Sequence, residues 1–306
     1  MNCPSCKSIL SSQKKLKAHL KKQSIKPSSF KKAYQKYGYF KRTSDSRIIS
    51  RYLCLLCRKT YSSASDDPAY YHKKRRINHR LKMLLASNMS MRRSAQILGV
   101  SRTTIDRKLR FLGKVCREEN EDYMLQFQDS VEDIQFDELQ TIEHTKCKPL
   151  AVMVAVSGRS RKILSVAVSS MPATGHLAKI SRKKYGFRPD CRVEGLKTVL
   201  NQIRKYTRKT TRFHSDMQPF YSGILSRFYP QNKHIVSKGD HATISGQGEL
   251  KKRARDPLFF INHTLAMLRA NINRLIRRTW CTTKKVDRLR DHLAIYMSIH
   301  NQLLTT

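Results

Sequence analysis

Three pieces of chain between positions 132 and 168 decide the fold: Glu132-Asp133-Ile134-Gln135-Phe136-Asp137-Glu138-Leu139, Ala151-Val152-Met153-Val154-Ala155-Val156 and Ile163-Leu164-Ser165-Val166-Ala167-Val168. In the first, Ile134 and Phe136 point one way and Asp137 and Leu139 the other, which is the period of a strand. The other two are short apolar runs joined by Ser157-Gly158-Arg159-Ser160-Arg161, a hairpin connection. Three antiparallel strands are expected, with Asp137 inside the first.

Downstream the pattern becomes helical. Val193, Leu196, Val199, Leu200 and Ile203 share one face of a helix expected from about Val193 to Tyr206. Thr210 to His214 then reads as a short strand that delivers Ser215-Asp216-Met217 at its carboxyl end, where α/β layers place ligand-binding groups. His234-Ile235-Val236 is a fifth candidate strand. A long helix is expected after Pro257, with Leu258, Ile261, Leu265, Leu268, Ile272 and Leu275 as its buried stripe. A last helix around Val286, Leu289, Leu293 and Tyr296 reads as core packing.

The chain has 306 residues, 62 Lys and Arg, 22 Asp and Glu, and a formal net charge of +40. Such an excess points to a polyanionic partner, nucleic acid before an anionic membrane surface. No apolar run is long enough to span a bilayer and Met1-Asn2-Cys3 is not the start of a signal peptide, so a cytoplasmic, nucleoid-associated protein is expected. In a surface built for phosphates, Asp137 and Asp216 are out of place unless they hold divalent metal ions for phosphodiester chemistry. Neighbouring strand residues face opposite ways, so Asp137 and Glu138 compete for that role. Asp137 is preferred because Glu138 shares the side of Ile134 and Phe136.

Toward the amino end, Cys3-Pro-Ser-Cys6 and Cys54-Leu-Leu-Cys57 each supply half of a tetrahedral thiolate site for Zn²⁺. The 47 residues between the pairs make a long, lysine-rich insertion. Cys3, Cys6, Leu10, Leu16 and His19 also match the first landmarks of a Cys-Cys-His-His finger, but Gln23, Ser24 and Ile25 stand where its second histidine should fall. The four-cysteine site is preferred, and His19 stays open as a ligand or supporting group. Residues 1–60 are therefore read as a zinc-ribbon-like DNA-binding module. Residues 61–79, with Ser62-Ser63-Ala64-Ser65 and Lys73-Lys74-Arg75-Arg76, read as a basic linker. Cys116, Cys147, Cys191 and Cys281 read as packing cysteines.

Residues 80–114 carry a helix-turn-helix pattern. Leu81, Leu84 and Leu85 mark one helix, Met91 to Leu98 a second, and Gly99-Val100 the tight turn. Ser101 caps a third helix, Arg102 to Phe111, whose inner face holds Ile105 and Leu109. Ser101, Arg102, Thr103, Thr104, Arg107, Lys108 and Arg110 are expected outward, in reach of a major groove.

The order of three strands, helix, strand, strand and helix is that of an RNase H-like fold. With the cysteine pairs, the helix-turn-helix, Phe136-Asp137-Glu138 and His214-Ser215-Asp216, nearly the whole chain resembles bacterial insertion-sequence transposases of the DDE type. The resemblance implies a multidomain protein: a zinc-ribbon-like module, an all-α helix-turn-helix, and an α/β RNase H-like catalytic domain over residues 115–306. It implies Asp137 and Asp216 as ligands of Mg²⁺ or Mn²⁺, and a third group on the late helix seven residues before a basic partner. Arg269 as that partner puts Asn262 at the third position, where the family usually has glutamate. His263, Glu249 and Asp256 stay open as alternatives. The implied partner is double-stranded DNA, as terminal inverted repeats and as target, bound by a homodimer or larger assembly. Two other readings remain: a catalytically silent, transposase-derived DNA-binding protein, which Asn262 favours, and a coating protein without sequence preference, which charge alone favours.

Overall fold

The computed structural model describes residues 3–6, 15, 17, 18, 21, 33–43, 46–65, 67–238, 256–276 and 280–303. The chain divides into two compact units, Met1–Asn78 and His79–Thr306. Together they hold helices and sheets in a mixed α/β fold.

In the first unit, β1 (Tyr34–Lys41), β2 (Ile48–Cys54) and β3 (Thr60–Ser62) form an antiparallel sheet in that order. The register of β1 on β2 shifts between Lys36 and Tyr39, where Gly38 takes a φ of 99° that side-chain-bearing residues rarely adopt. The core is aromatic: the Tyr52 ring lies 5.2 Å from Tyr34 and 5.6 Å from Tyr61, above the cysteines. Tyr61 and Ser62 fall in the stretch expected to be linker. They become a strand because Tyr61 has an apolar partner in Tyr52, directly opposite it in the register. Ser65 Oγ then closes the turn by accepting from the Ser62 N–H at 3.1 Å.

The second unit begins with α1 (Asn78–Leu85), α2 (Met91–Ile97) and α3 (Arg102–Met124). Ser90 and Ser101 cap α2 and α3 by accepting from the Arg93 and Thr104 N–H groups. Gly99, at a φ of 60°, makes the turn between them. The third helix does not stop at Phe111. It continues because Leu112, Cys116, Asn120 and Met124 repeat every four residues along one buried stripe.

A five-stranded sheet follows, in the order β6-β5-β4-β7-β8, from β4 (Val131–Ile142), β5 (Pro149–Ser157), β6 (Ile163–Ser170), β7 (Thr207–Ser215) and β8 (His234–Val236). The pairs β4–β5 and β5–β6 are antiparallel; β4–β7 and β7–β8 are parallel. Both faces are covered, which is why β5 reads as an unbroken apolar run. Leu150, Val152, Val154 and Val156 face a core shared with α1, α3, α7 (Phe259–Asn271) and α8 (Val286–Leu303). Met153 and Ala155 face the other core, with α5 (Arg192–Ile203) and α6 (Pro219–Phe228). A further helix, α4 (Leu177–Tyr185), leaves the carboxyl end of β6. Neither α4 nor α6 was evident from periodicity, since each is only two to three turns long.

The helices of 80–114 share the first of these cores and have none of their own. His292 on α8 donates from Nε2 to the Leu85 carbonyl at 2.7 Å, and burial with Arg274 nearby drives its pKa down to about 3, so the ring stays neutral. Gly113 is needed where α3 meets α8: a Cβ there would sit 2.6 Å from Cβ of Asp291. Among the described residues no helix is long and apolar enough to cross a membrane.

Candidate functional site

The cysteine pairs converge. Cys3 precedes a single 3-10 turn, Pro4–Cys6, that Cys6 ends, while Cys54 ends β2 and Cys57 closes the following turn. Cys3 Sγ lies 3.6 Å from Cys57 Sγ, Cys54 Sγ lies 3.9 Å from Cys6 Sγ, and all four sulfurs fall within 4.8 Å of one another. Zn–S bonds of about 2.3 Å at tetrahedral angles put sulfurs about 3.8 Å apart, so the spacing fits a metal such as zinc. Burial and the neighbouring thiols push the Cys6 thiol far above its ordinary range. Burial also opposes ionisation at Cys57, yet the Lys59 N–H and the other thiols hold its pKa below the usual value. Packed thiols that suppress one another's ionisation are the state a cation relieves. The insertion between the pairs is bridged by the β1–β2 hairpin, a feature hidden by its lysines. His19 lies outside the described residues. Of the remaining cysteines, Cys116 and Cys147 are buried, Cys191 is half-buried and Cys281 is exposed.

In the second unit, Asp137 lies on the α7 side of β4, opposite Val154, and Asp216 follows the last residue of β7, the parallel neighbour of β4. Asp137 Oδ1 accepts from the Glu138 N–H at 2.7 Å and Asp216 Oδ1 from the Gln218 N–H at 3.2 Å. Burial first, then the Asp216 charge, pushes the Asp137 carboxyl up to about 7; burial raises Asp216 as well. Among the described residues neither carboxylate has an ion-pair partner, whereas Asp133 has Arg212 and His214. Glu138 points to the other face: its Oε1 lies 3.4 Å from Arg192, and its Oε2 is buried without a hydrogen bond. Beneath Asp216, Ser215 Oγ is 2.9 Å from His234 Nε2, and the His234 ring stacks at 6.0 Å on Phe136.

The start of α7 is pinned beside Asp137 by Gln135, whose Nε2 donates to the Pro257 carbonyl and whose Oε1 accepts from the Ile261 N–H, both at 3.0 Å. Sequence reasoning missed Gln135; its place two residues before Asp137, on the same strand face, was the available signal. Asn262 is exposed and donates to Asp256 Oδ2 at 2.8 Å, so two of the proposed third groups are hydrogen-bonded to each other. Asp256 Oδ1 also accepts from the Leu258 N–H. Asn262 and Arg269, seven residues apart, share one flank of α7. Arg269 donates to the backbone carbonyls of Gln140 and Leu275, which ties that flank to β4. His263 turns toward Arg161, 3.3 Å away, beside the β5–β6 connection. Glu249 lies outside the described residues.

On α3, Ser101, Arg102, Thr103, Arg107 and Arg110 are exposed and Thr104 is half-buried. Lys108 departs from expectation. It is buried, because it shares a face with Ile105 and Leu112, and its ammonium sits 5.8 Å over the Phe111 ring. A cleft of about 1420 Å³ runs along the free edge of β6, between α3, α5 and α8, and neither Asp137 nor Asp216 lines it. Cys116, Lys205 and Tyr206 in this cleft are also shifted, but burial or a single neighbouring charge accounts for each. The acid pair joins burial to mutual repulsion with no ion-pair partner among the described residues, so the pair is the better candidate site. Compared with known proteins, the chain matches no protein-family model and has no significant match among curated proteins.

Proposed function

We propose that this chain is a DNA transposase: it binds the ends of a mobile element and carries out metal-dependent strand cleavage and strand transfer. One observation carries the reading. In a chain with a net charge of +40, two neighbouring carboxylates at adjacent parallel strands have no cationic partner among the described residues, and one has its pKa lifted to about 7. The half-buried or buried acids Asp106, Asp133, Glu138, Glu143 and Asp291 are each paired with an arginine; this pair would suit a cation from outside.

Further support comes from the sheet. Three antiparallel strands followed by two parallel ones, in the order β6-β5-β4-β7-β8, is the arrangement expected of an RNase H-like core. Helix α4 carries Lys179, Arg182, Lys183 and Lys184 from the carboxyl end of β6, the end of the sheet at which Asp216 lies. No acidic residue occurs between Glu143 and Asp190, so a phosphate backbone meets only positive charge over that stretch.

Hard carboxylate oxygens suit Mg²⁺ or Mn²⁺, and Asp137 and Asp216 would hold the metal, with Asn262 contributing a neutral amide oxygen. Such an ion supplies an activated oxygen nucleophile and stabilises the leaving oxygen. Gln135 and Arg269 hold α7, the helix that carries Asn262, against β4, the strand that carries Asp137. The exposed first turn of α3 would read element ends from the major groove through Arg102, Thr103 and Arg107. Cleavage at both ends and their joining to a target call for a homodimer or larger assembly.

The deciding experiment is cleavage of duplex DNA carrying the sequences that flank the gene, with Mg²⁺ or Mn²⁺. Activity in the wild type that disappears in Asp137→Ala and Asp216→Ala supports the transposase reading. Specific binding by the folded, assembled protein without cleavage in either metal favours a silent DNA-binding protein, the reading suggested by Asn262 in place of an acid.

A further inference from the structure

The β1–β2 hairpin of the first unit exposes large rings where a small sheet would ordinarily hide them. Tyr39 is 74% exposed, Tyr37 54% and Phe40 40%, and Ile48, near the other side of the turn, 69%. The hairpin's own core does not need them, since Tyr34, Tyr52 and Tyr61 already pack over the cysteines. Exposed aromatic rings cost hydration free energy unless something covers them.

Charge identifies the cover. Lys36, Lys41, Arg42, Arg47 and Arg51 lie between positions 34 and 54, against the single acid Asp45. Lys36, Lys41 and Arg47 are exposed beside the rings, and the Arg51 guanidinium lies 5.6 Å over the Tyr37 ring. Rings flanked by cations match a ligand that alternates flat π-surfaces with phosphates. Tyr39 and Phe40 are consecutive in β1, opposite Ser50 and Ile49, and so face opposite sides of the ribbon. Neither side offers the broad apolar face that a protein groove or a lipid surface needs, whereas an unpaired strand can wrap the ribbon.

We propose that this hairpin is a stacking platform for an unpaired DNA strand, with bases on Tyr37, Tyr39 and Phe40 and phosphates on Lys36, Lys41 and Arg47. It goes beyond the acid pair and needs no cleavage, so it stands or falls separately from the transposase reading. Stacking is sequence-tolerant, so the hairpin engages a strand wherever the duplex is open, while α3 supplies recognition of paired DNA.

The test uses the full-length, zinc-loaded chain and fluorescence anisotropy with a labelled oligo-dT and a duplex of equal length, each over a range of salt. Tyr39→Ala and Phe40→Ala are each expected to weaken oligo-dT binding roughly 5- to 100-fold while duplex binding holds. Tyr39→Phe should bind as the wild type, and Tyr39→Leu as the alanine variant, because leucine keeps bulk but loses the π-face. Circular dichroism and zinc content check that each variant is folded. Wild-type oligo-dT affinity in both alanine variants would overturn the proposal. Equal losses for oligo-dT and duplex would overturn it too, as would ring-dependent binding to anionic vesicles without binding to oligo-dT.

Discussion

The two clusters of potential ligands solve opposite problems. In the first unit four thiols enclose a point, with sulfurs 3.6 to 3.9 Å apart in pairs and three of the four cysteines buried. In the second unit two carboxylates stand at adjacent strands, and the charge of Asp216 adds to burial in raising the pKa of Asp137. A closed shell of four protein ligands has no place for a substrate, so a metal held there would act on folding, whereas a shell completed by outside ligands would suit chemistry. The sequence around each follows suit. The cysteines sit in tight turns over an aromatic core that is small even for its unit, whereas Asp137 and Asp216 hang on a sheet whose two cores fold without them.

That contrast breaks most sharply on metal removal. Binding of structural zinc is worth about 10–16 kcal/mol in small domains, far more than three tyrosines and a three-stranded sheet supply. Cys54→Ser, or a strong chelator, is expected to unfold the first unit and leave the second unit's melting transition in place. Calorimetry of the full chain, with zinc content measured alongside, would show it. A first unit that keeps its fold without metal would mean that the aromatic core suffices and the thiols are only packing.

The acid pair should respond the other way. Asp137→Asn keeps the shape and the acceptor for the Glu138 N–H, yet is expected to lower cleavage roughly 10³-fold or more, the scale seen when one member of a cooperating set is lost. The same change should stabilise the protein without added Mg²⁺. The folded pKa of Asp137 is about 7 against an ordinary 3.8, so its favourable contribution is complete below about pH 4 and is lost as pH rises through 7. The asparagine variant should therefore match the wild type near pH 4 and exceed it at pH 8, by about 4 kcal/mol. Denaturant titrations at both pH values measure the difference. A variant no more stable at pH 8 would mean that the pair is solvated, and the case for a cation held by the pair would weaken.

How far the sequence revealed these regions depended on whether burial or partner chemistry set the pattern. The strands β5 and β6 were legible because both faces are covered and every position is apolar or small. The hairpin between the cysteine pairs was not, because Tyr37, Tyr39 and Phe40 face outward and its lysines mimic a solvated insertion. The length of α3 was hidden by Arg117, Glu118 and Glu119, although Cys116, Asn120 and Met124 keep the buried period. Lys108 was misplaced because charge was weighed above position: three residues after Ile105 and four before Leu112, it belongs to the inner face. Asp137 and Asp216 could be singled out from strand patterns, the excess of positive charge and the resemblance together, but their lack of an ion-pair partner among the described residues and their mutual repulsion needed coordinates.

The position of Lys108 yields a smaller and cleaner effect. Each phosphate contact adds about 0.9 to the salt dependence of duplex binding. Arg107→Ala, at an exposed position, should weaken specific binding by about 1–3 kcal/mol if it reads a base edge, or lower the salt slope by about one if it meets phosphate. Lys108→Met, which keeps the buried stem, should leave both quantities unchanged. A reduced slope in Lys108→Met would show that α3 turns on binding DNA.

The smallest effect separates Asn262 from Asp256. The two are joined at 2.8 Å, and Asp256 also holds the turn before α7 through the Leu258 N–H. A neutral amide oxygen adds little to a site whose charge comes from Asp137 and Asp216. Asn262→Ala is therefore expected to raise the Mg²⁺ needed for half-maximal cleavage only several-fold, roughly 3- to 10-fold, with the rate at saturating metal retained. Asp256→Asn should leave the Mg²⁺ requirement unchanged, because an asparagine side chain still accepts the Leu258 N–H and still bonds Asn262. If Asp256→Asn instead raises the requirement more than Asn262→Ala does, the roles reverse. Asp256 is then the third ligand, Asn262 the residue that orients it, and the open shell carries three negative charges like the acid triad that the chain otherwise lacks.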